Sequence, residues 1–130
     1  MRYLLDVNAL VAVGIFHHQF HDRVNAWIIP QRDADWLTCS ITELGFVRVV
    51  AQTPSYGLPV PGARSLLLSM KGDEDLSLIF VPDASDISLL PGWVKTPKQT
   101  TDGHLVELAT ANGAVLATFD QGIPGAFLIP

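Results

Sequence analysis

Four carboxylates stand where they could act together: Asp6, Glu43, Asp102 and Asp120. Asp6 ends a short apolar run, Tyr3-Leu4-Leu5, and a carboxylate in that position is costly unless it is paired or bound to a metal. Glu43 falls in the first turn of a helix after a second such run. Asp102 opens the helix that leads into a fourth run, and Asp120 lies just beyond that run. Gathered in one pocket, four acids would repel one another, and some would protonate unless a cation neutralised them. Oxygen ligands of this kind suit hard cations, Mg2+ or Mn2+. Such a centre generates a hydroxide-like nucleophile and stabilises charge gathering on a phosphate, so the predicted chemistry is phosphodiester hydrolysis.

Each acid also has a simpler use. Taken singly, Glu43 and Asp102 read more readily as helix-start acids that favour the dipole and cap free N–H groups than as ligands. Asp120, before Gln121-Gly122, has the composition of a turn. Asp6 is the firm clue, and the other three gain from it.

The elements that must position these acids follow from the apolar pattern. Residues 3–5 read as a buried strand, and Asn8 as the cap of an apolar helix beginning Ala9-Leu10-Val11. Residues 17–29 carry Phe20, Val24, Trp27 and Ile28 at helical spacing. Residues 36–39 form a second strand, and Ser40 or Thr42 caps a helix running through Val50. The Pro- and Gly-rich stretch 53–62 is a loop, and 63–70 resumes as helix. Residues 78–81 form a third strand, 86–90 a helical turn and 91–100 a second loop. Thr101 or Asp102 then opens a helix ending at Asn112-Gly113, before strands at 114–118 and 126–129.

Strands that are continuous apolar runs, alternating with helices, predict a mostly parallel sheet of about five strands covered on both faces, a three-layer α/β/α fold. Ligands bind outside the carboxyl ends of such strands. Chain direction alone therefore places Asp6, Glu43 and Asp120 at one edge. Asp102 joins them only if the 91–100 loop brings its helix start there.

Composition sets the bounds. With 48% hydrophobic and 16% charged residues, the 130 residues are expected to form one globular domain spanning 1–130, not a disordered chain. No apolar run approaches the roughly 18 residues of a membrane span, and the first residues lack a signal-peptide core. A single cysteine, Cys39, excludes an internal disulfide and points to the reducing cytoplasm. The net charge of −5 counts against a nucleic-acid partner unless the acids are gathered in one cation-binding pocket.

Four segments, in order, resemble one family. Leu4-Leu5-Asp6-Val7-Asn8 with its apolar helix is similar to the opening of PIN-domain proteins, particularly VapC-type toxins. Thr42-Glu43-Leu44-Gly45-Phe46-Val47-Arg48 is similar to the second acidic segment. Thr101-Asp102-Gly103-His104-Leu105 resembles the third, and Leu116-Ala117-Thr118-Phe119-Asp120-Gln121-Gly122 the fourth. The resemblance implies a Mg2+- or Mn2+-dependent endoribonuclease that cuts structured RNA such as transfer or ribosomal RNA. It implies a homodimer inhibited by a small VapB-like antitoxin. Asp6, Glu43 and Asp102 would hold the ion, Asp120 would serve a second ion or the attacking water, and Asn8 and Thr118 would orient the acids. Gln121 departs from the pattern, standing where a basic residue is frequent.

RNA needs positive charge, for which Arg48 and Lys98 are the leading candidates, with Arg64 and Lys95. Trp93 is a candidate base-stacking residue or a loop anchor. His17 and His21 share a helical spacing that could bind a transition metal, though a solvated role is the simpler expectation. His104 is placed to approach substrate or to point away. Two other functions remain open: a non-catalytic PIN module that binds RNA or protein, and an aspartyl-phosphate phosphatase. The second would need an Asp where the chain has Asn8.

Overall fold

In the computed structural model, which describes residues 1–130, the first apolar run becomes strand β1 (Arg2–Leu5). Its side chains divide between two cores: Tyr3 and Leu5 enter one cluster, Leu4 the other. Strand β2 (Asp35–Thr38) divides in the same way, with Trp36 on the first side and Leu37 on the second. So does β4 (Val115–Thr118), with Ala117 and Leu116. Successive strand side chains point to opposite faces, so a run apolar at every position must be covered on both.

Two short strands complete the sheet, β3 (Ile79–Phe80) and β5 (Phe127–Leu128), in the order β3-β2-β1-β4-β5. All pairings are parallel, with Leu4 opposite both Leu37 and Leu116. The chain builds one side of β1 first and then crosses to the other, so the direction of winding switches between β1 and β4. That is where ligands bind in open parallel sheets.

Four helices cover the first face: α1 (Val7–Gly14), α2 (His21–Ile28), α3 (Ser40–Gln52) and α4 (Val60–Lys71). The second is covered chiefly by α5 (Thr100–Ala111), through Leu105, Leu108 and Ala109, with Ile41 of α3 packed against the same cluster. The result is the expected three-layer α/β/α arrangement. Tyr3 stacks on Trp36 with centroids 5.3 Å apart, and Trp27 meets both edge-on, which seats α2 on the sheet. No helix is long and apolar enough to cross a membrane.

Several expected boundaries move, each for a local reason. Asn8 is not the cap of α1. Asp6 is, its Oδ1 accepting from Val7 N–H at 2.8 Å. Helix α2 begins at His21 and not at residue 17, because His18 Nδ1 accepts the Phe20 N–H at 3.0 Å and holds the preceding residues in a turn. Neither Ser40 nor Thr42 caps α3. Cys39 holds that position, and its N–H donates to Thr42 Oγ1 at 3.0 Å. Helix α4 starts at Val60, inside the expected 53–62 loop, because Pro61 sits in the first turn, where a missing N–H removes no helical bond. Helix α5 starts at Thr100, directly after a 3-10 turn at Pro97–Gln99, so neither Thr101 nor Asp102 caps it.

Candidate active site

The switch between β1 and β4 is closed by side chains. The Asp6 backbone N–H continues the ladder to Ala117 O at 2.9 Å, and the residue is only 6% exposed. Asp6 Oδ2 accepts from Thr118 Oγ1 at 2.7 Å. The same hydroxyl oxygen accepts from Asp120 N–H at 3.0 Å and from Asn8 Nδ2 at 3.2 Å. Asn8 Oδ1 in turn accepts the Phe119 N–H at 3.1 Å. Asn8 and Thr118 thus tie the start of α1 to the end of β4, with Asp6 between them.

Asp102 reaches this edge through a close approach. A Cβ on Gly103 would lie 2.2 Å from Val94 Cγ2, so only glycine lets the preceding loop pack on the first turn of α5. The 91–100 segment is thereby laid against the helix start, and the charge of Asp102 acts on Asp6. Trp93 in this loop is half-buried.

The electrostatics join three of the acids. Burial pushes the Asp6 carboxyl above the usual aspartate range, against the hydrogen bonds from Thr118 and Val7, and the charges of Asp102 and Asp120 push it further. Asp102 is also raised, by burial and by Asp120, with Lys98 acting in the opposite direction. Burial together with the charge of neighbouring carboxylates marks acids that share one neighbourhood.

Glu43 is neutralised separately. Lys71, the last residue of α4, donates to its Oε1 and Oε2 at 2.9 and 2.8 Å, and Thr38 Oγ1 donates to Oε2 at 2.5 Å. Thr38 and Thr118 hold equivalent places, each the last residue of its strand and each giving its hydroxyl proton to a carboxylate. A Cβ on Gly45 would lie 2.5 Å from Val7 Cγ2, so α3, which carries Glu43, approaches α1 closely.

Lys71 was not among the cations that the sequence singled out, because the expected helix stopped at residue 70. A lysine in a last helical turn would have been the signal. The donor set of Asp6, Asp102, Asp120 and Glu43 is all oxygen and anionic, which fits a hard divalent cation. No three acidic, histidine or cysteine side chains yet converge tightly enough to hold an ion as they stand.

Of the remaining candidates, Lys98 is exposed beside Asp102. Arg48 is exposed on α3, in an open groove of about 590 Å³ with Leu44, Val47, Ala51, Gln52 and Val60. His21 is not free to bind metal: Nδ1 meets Ala12 O at 2.8 Å and Nε2 meets Asn25 Nδ2 at 3.0 Å. His104 is engaged by Asp83.

No protein-family model matches the chain. Ribonuclease VapC44 of Mycobacterium tuberculosis is 38% identical over 137 aligned positions, which span 97% of this chain and 94% of that protein. Ribonuclease VapC38 of the same organism is 36% identical, over 92% of this chain and 86% of that protein. The crystal structure of VapBC2 from Rickettsia felis, bound to a DNA fragment from their promoter, superposes with a TM-score of 0.63. That match covers 98% of this chain and 97% of the other at 17% identity, a likeness of fold.

Proposed function

Because this chain belongs to the VapC ribonuclease family, we propose that it is a metal-dependent endoribonuclease acting as the toxin of a toxin–antitoxin pair. Residues 1–130 then form one PIN-like domain that hydrolyses RNA phosphodiester bonds in the cytoplasm. The observation that carries the reading is the setting of Asp6: pinned by Thr118, and raised by burial and further by the charges of Asp102 and Asp120.

Asp6, Asp102 and Asp120 would hold Mg2+ or Mn2+, with Glu43 as the further carboxylate. When bound, such a cation neutralises charge on a phosphate in displacement and acidifies the attacking water. The chain's own groups supply the rest. Thr118 spends its one hydroxyl proton on Asp6, which keeps that carboxylate an acceptor aimed at the site. Asn8 fixes the turn that carries Asp120 by holding the Phe119 N–H. Lys98, exposed and with its charge felt at Asp102, would meet an RNA phosphate. Arg48 would extend that contact along α3.

The partners follow from the same reading: transfer or ribosomal RNA as substrate, a VapB-like antitoxin as inhibitor, and a second copy of the chain in a homodimer. A binding-only module is the second reading, favoured by the Lys71–Glu43 pair, which keeps one acid occupied without a metal. The deciding experiment incubates purified protein and cellular RNA with Mn2+, beside EDTA and Asp6→Asn controls. Discrete cleavage lost in both controls supports the nuclease. Cleavage retained by Asp6→Asn rejects the assignment of the site.

A further inference from the structure

Glu43 already has a cation. The Lys71 ammonium bonds both of its carboxylate oxygens, and the Thr38 hydroxyl occupies a third position on it. A carboxylate offers about four lone-pair sites, so little of Glu43 is left to coordinate anything else. Lys71 is itself confined. Its side chain is 29% exposed, and Nζ lies 5.2 Å from the centroid of the Phe80 ring, which favours a cation over its face. The pair is therefore better sheltered than an ordinary surface ion pair. The acidic site thus has two unlike parts, an aspartate group in which Asp102 and Asp120 act on Asp6, and a glutamate supplied with charge from α4.

Resting on the divalent-cation reading of this site, we propose that Lys71 is a built-in counterion for Glu43, one that a divalent cation must displace before Glu43 can join the aspartates. Two cations compete for one carboxylate. The ammonium is a compact point charge on a flexible stem and can swing away, whereas a divalent ion brings twice the charge and asks for close oxygen ligands. Glu43 is neutralised before and after the exchange, so it never stands as an unpaired acid beside the aspartates. Lys71 lies 28 residues from Glu43 in sequence and on another helix, so the seating of α4 sets how readily the last ligand is recruited. Lys71 is in this sense a positioning residue for the site, acting through Glu43.

Calorimetric Mn2+ titrations of the full chain test this, using wild type, Lys71→Met, Glu43→Gln, the double variant and Asp6→Asn. Lys71→Met is expected to bind Mn2+ about three- to tenfold more tightly than wild type. In the Glu43→Gln background the same substitution should change affinity by less than about twofold, because the competition it relieves is gone. Unchanged or weaker binding by Lys71→Met overturns the proposal while leaving the cation site standing. Equal tightening in both backgrounds also overturns it, since the effect would then be one of general charge. If wild type binds no Mn2+, or binds it no better than Asp6→Asn, the cation-site reading and the proposal fall together. Should Lys71→Met fail to fold, Lys71→Arg gives the opposite sign: a bidentate guanidinium grips the carboxylate harder and weakens Mn2+ binding. Unchanged affinity there overturns the proposal as well.

Discussion

Thr118 gives its hydroxyl proton to Asp6 across 2.7 Å, joining the last residue of β4 to the first residue beyond β1. The same oxygen receives the Asp120 N–H and the Asn8 amide. Thr118→Val keeps the shape and removes all of this from a fully buried position. A loss of about 1–3 kcal/mol in urea unfolding is expected, the penalty for buried polar groups left unpaired. A variant as stable as wild type would show that water replaces the hydroxyl.

The raised carboxyls of Asp6 and Asp102 make folding weaker as pH rises. Above the ordinary aspartate value the unfolded chain has released protons that the folded chain still holds. The stability contributed by these groups is lost across the interval up to their raised values. Asp102→Asn removes one member of the pair. In EDTA, its urea midpoint at neutral pH should exceed that of wild type, and the gap should close toward acid pH. A gap that widens on acidification contradicts the sign.

A cation that binds only the folded chain must raise its melting temperature. At a hundredfold excess over the dissociation constant the gain is about 2.7 kcal/mol. Mn2+ should shift the thermal transition of wild type upward and leave Asp6→Asn nearly unmoved, with RNA cleavage lost in that variant. Parallel shifts in both proteins would place the ion elsewhere.

Gly103 is where the 91–100 loop touches α5, with Val94 Cγ2 2.2 Å from the place of a Cβ. Gly103→Ala must push the loop off the helix start, at a cost of about 1–3 kcal/mol for an overpacked contact. Because Asp102 is the adjacent residue, Mn2+ affinity should fall as well. A stable variant with unchanged affinity would separate the loop from the site.

Much of this arrangement was legible in the sequence because the signals are local. A carboxylate ending the run Tyr3-Leu4-Leu5 announces Asp6, and runs apolar at every position announce a sheet covered twice. The errors came where two local devices competed. Asp6 and Asn8 can both cap a helix, and Asp6 does so while Asn8 turns to Phe119. The stretch 17–29 has helical spacing, yet the His18 ring takes the N–H that would have extended the helix. The pairing of Lys71 with Glu43 was out of reach for a different reason. The two lie on different helices, and no spacing rule pairs residues that only the packing of α3 on α4 brings together.

The two faces of the sheet are unequally covered, with 17 buried residues in one cluster and 8 in the other. Regions with fewer buried contacts open first, at a free energy below that of global unfolding. Amide protons of α5 should therefore exchange with solvent deuterium sooner than those of α1 or α3. Asp102 rides on that helix, so each such excursion takes one acid away while Asp6 stays fastened to β4. Whatever bridges these two carboxylates also latches the thinner layer of the molecule, and slowed exchange in α5 would report its arrival without a substrate.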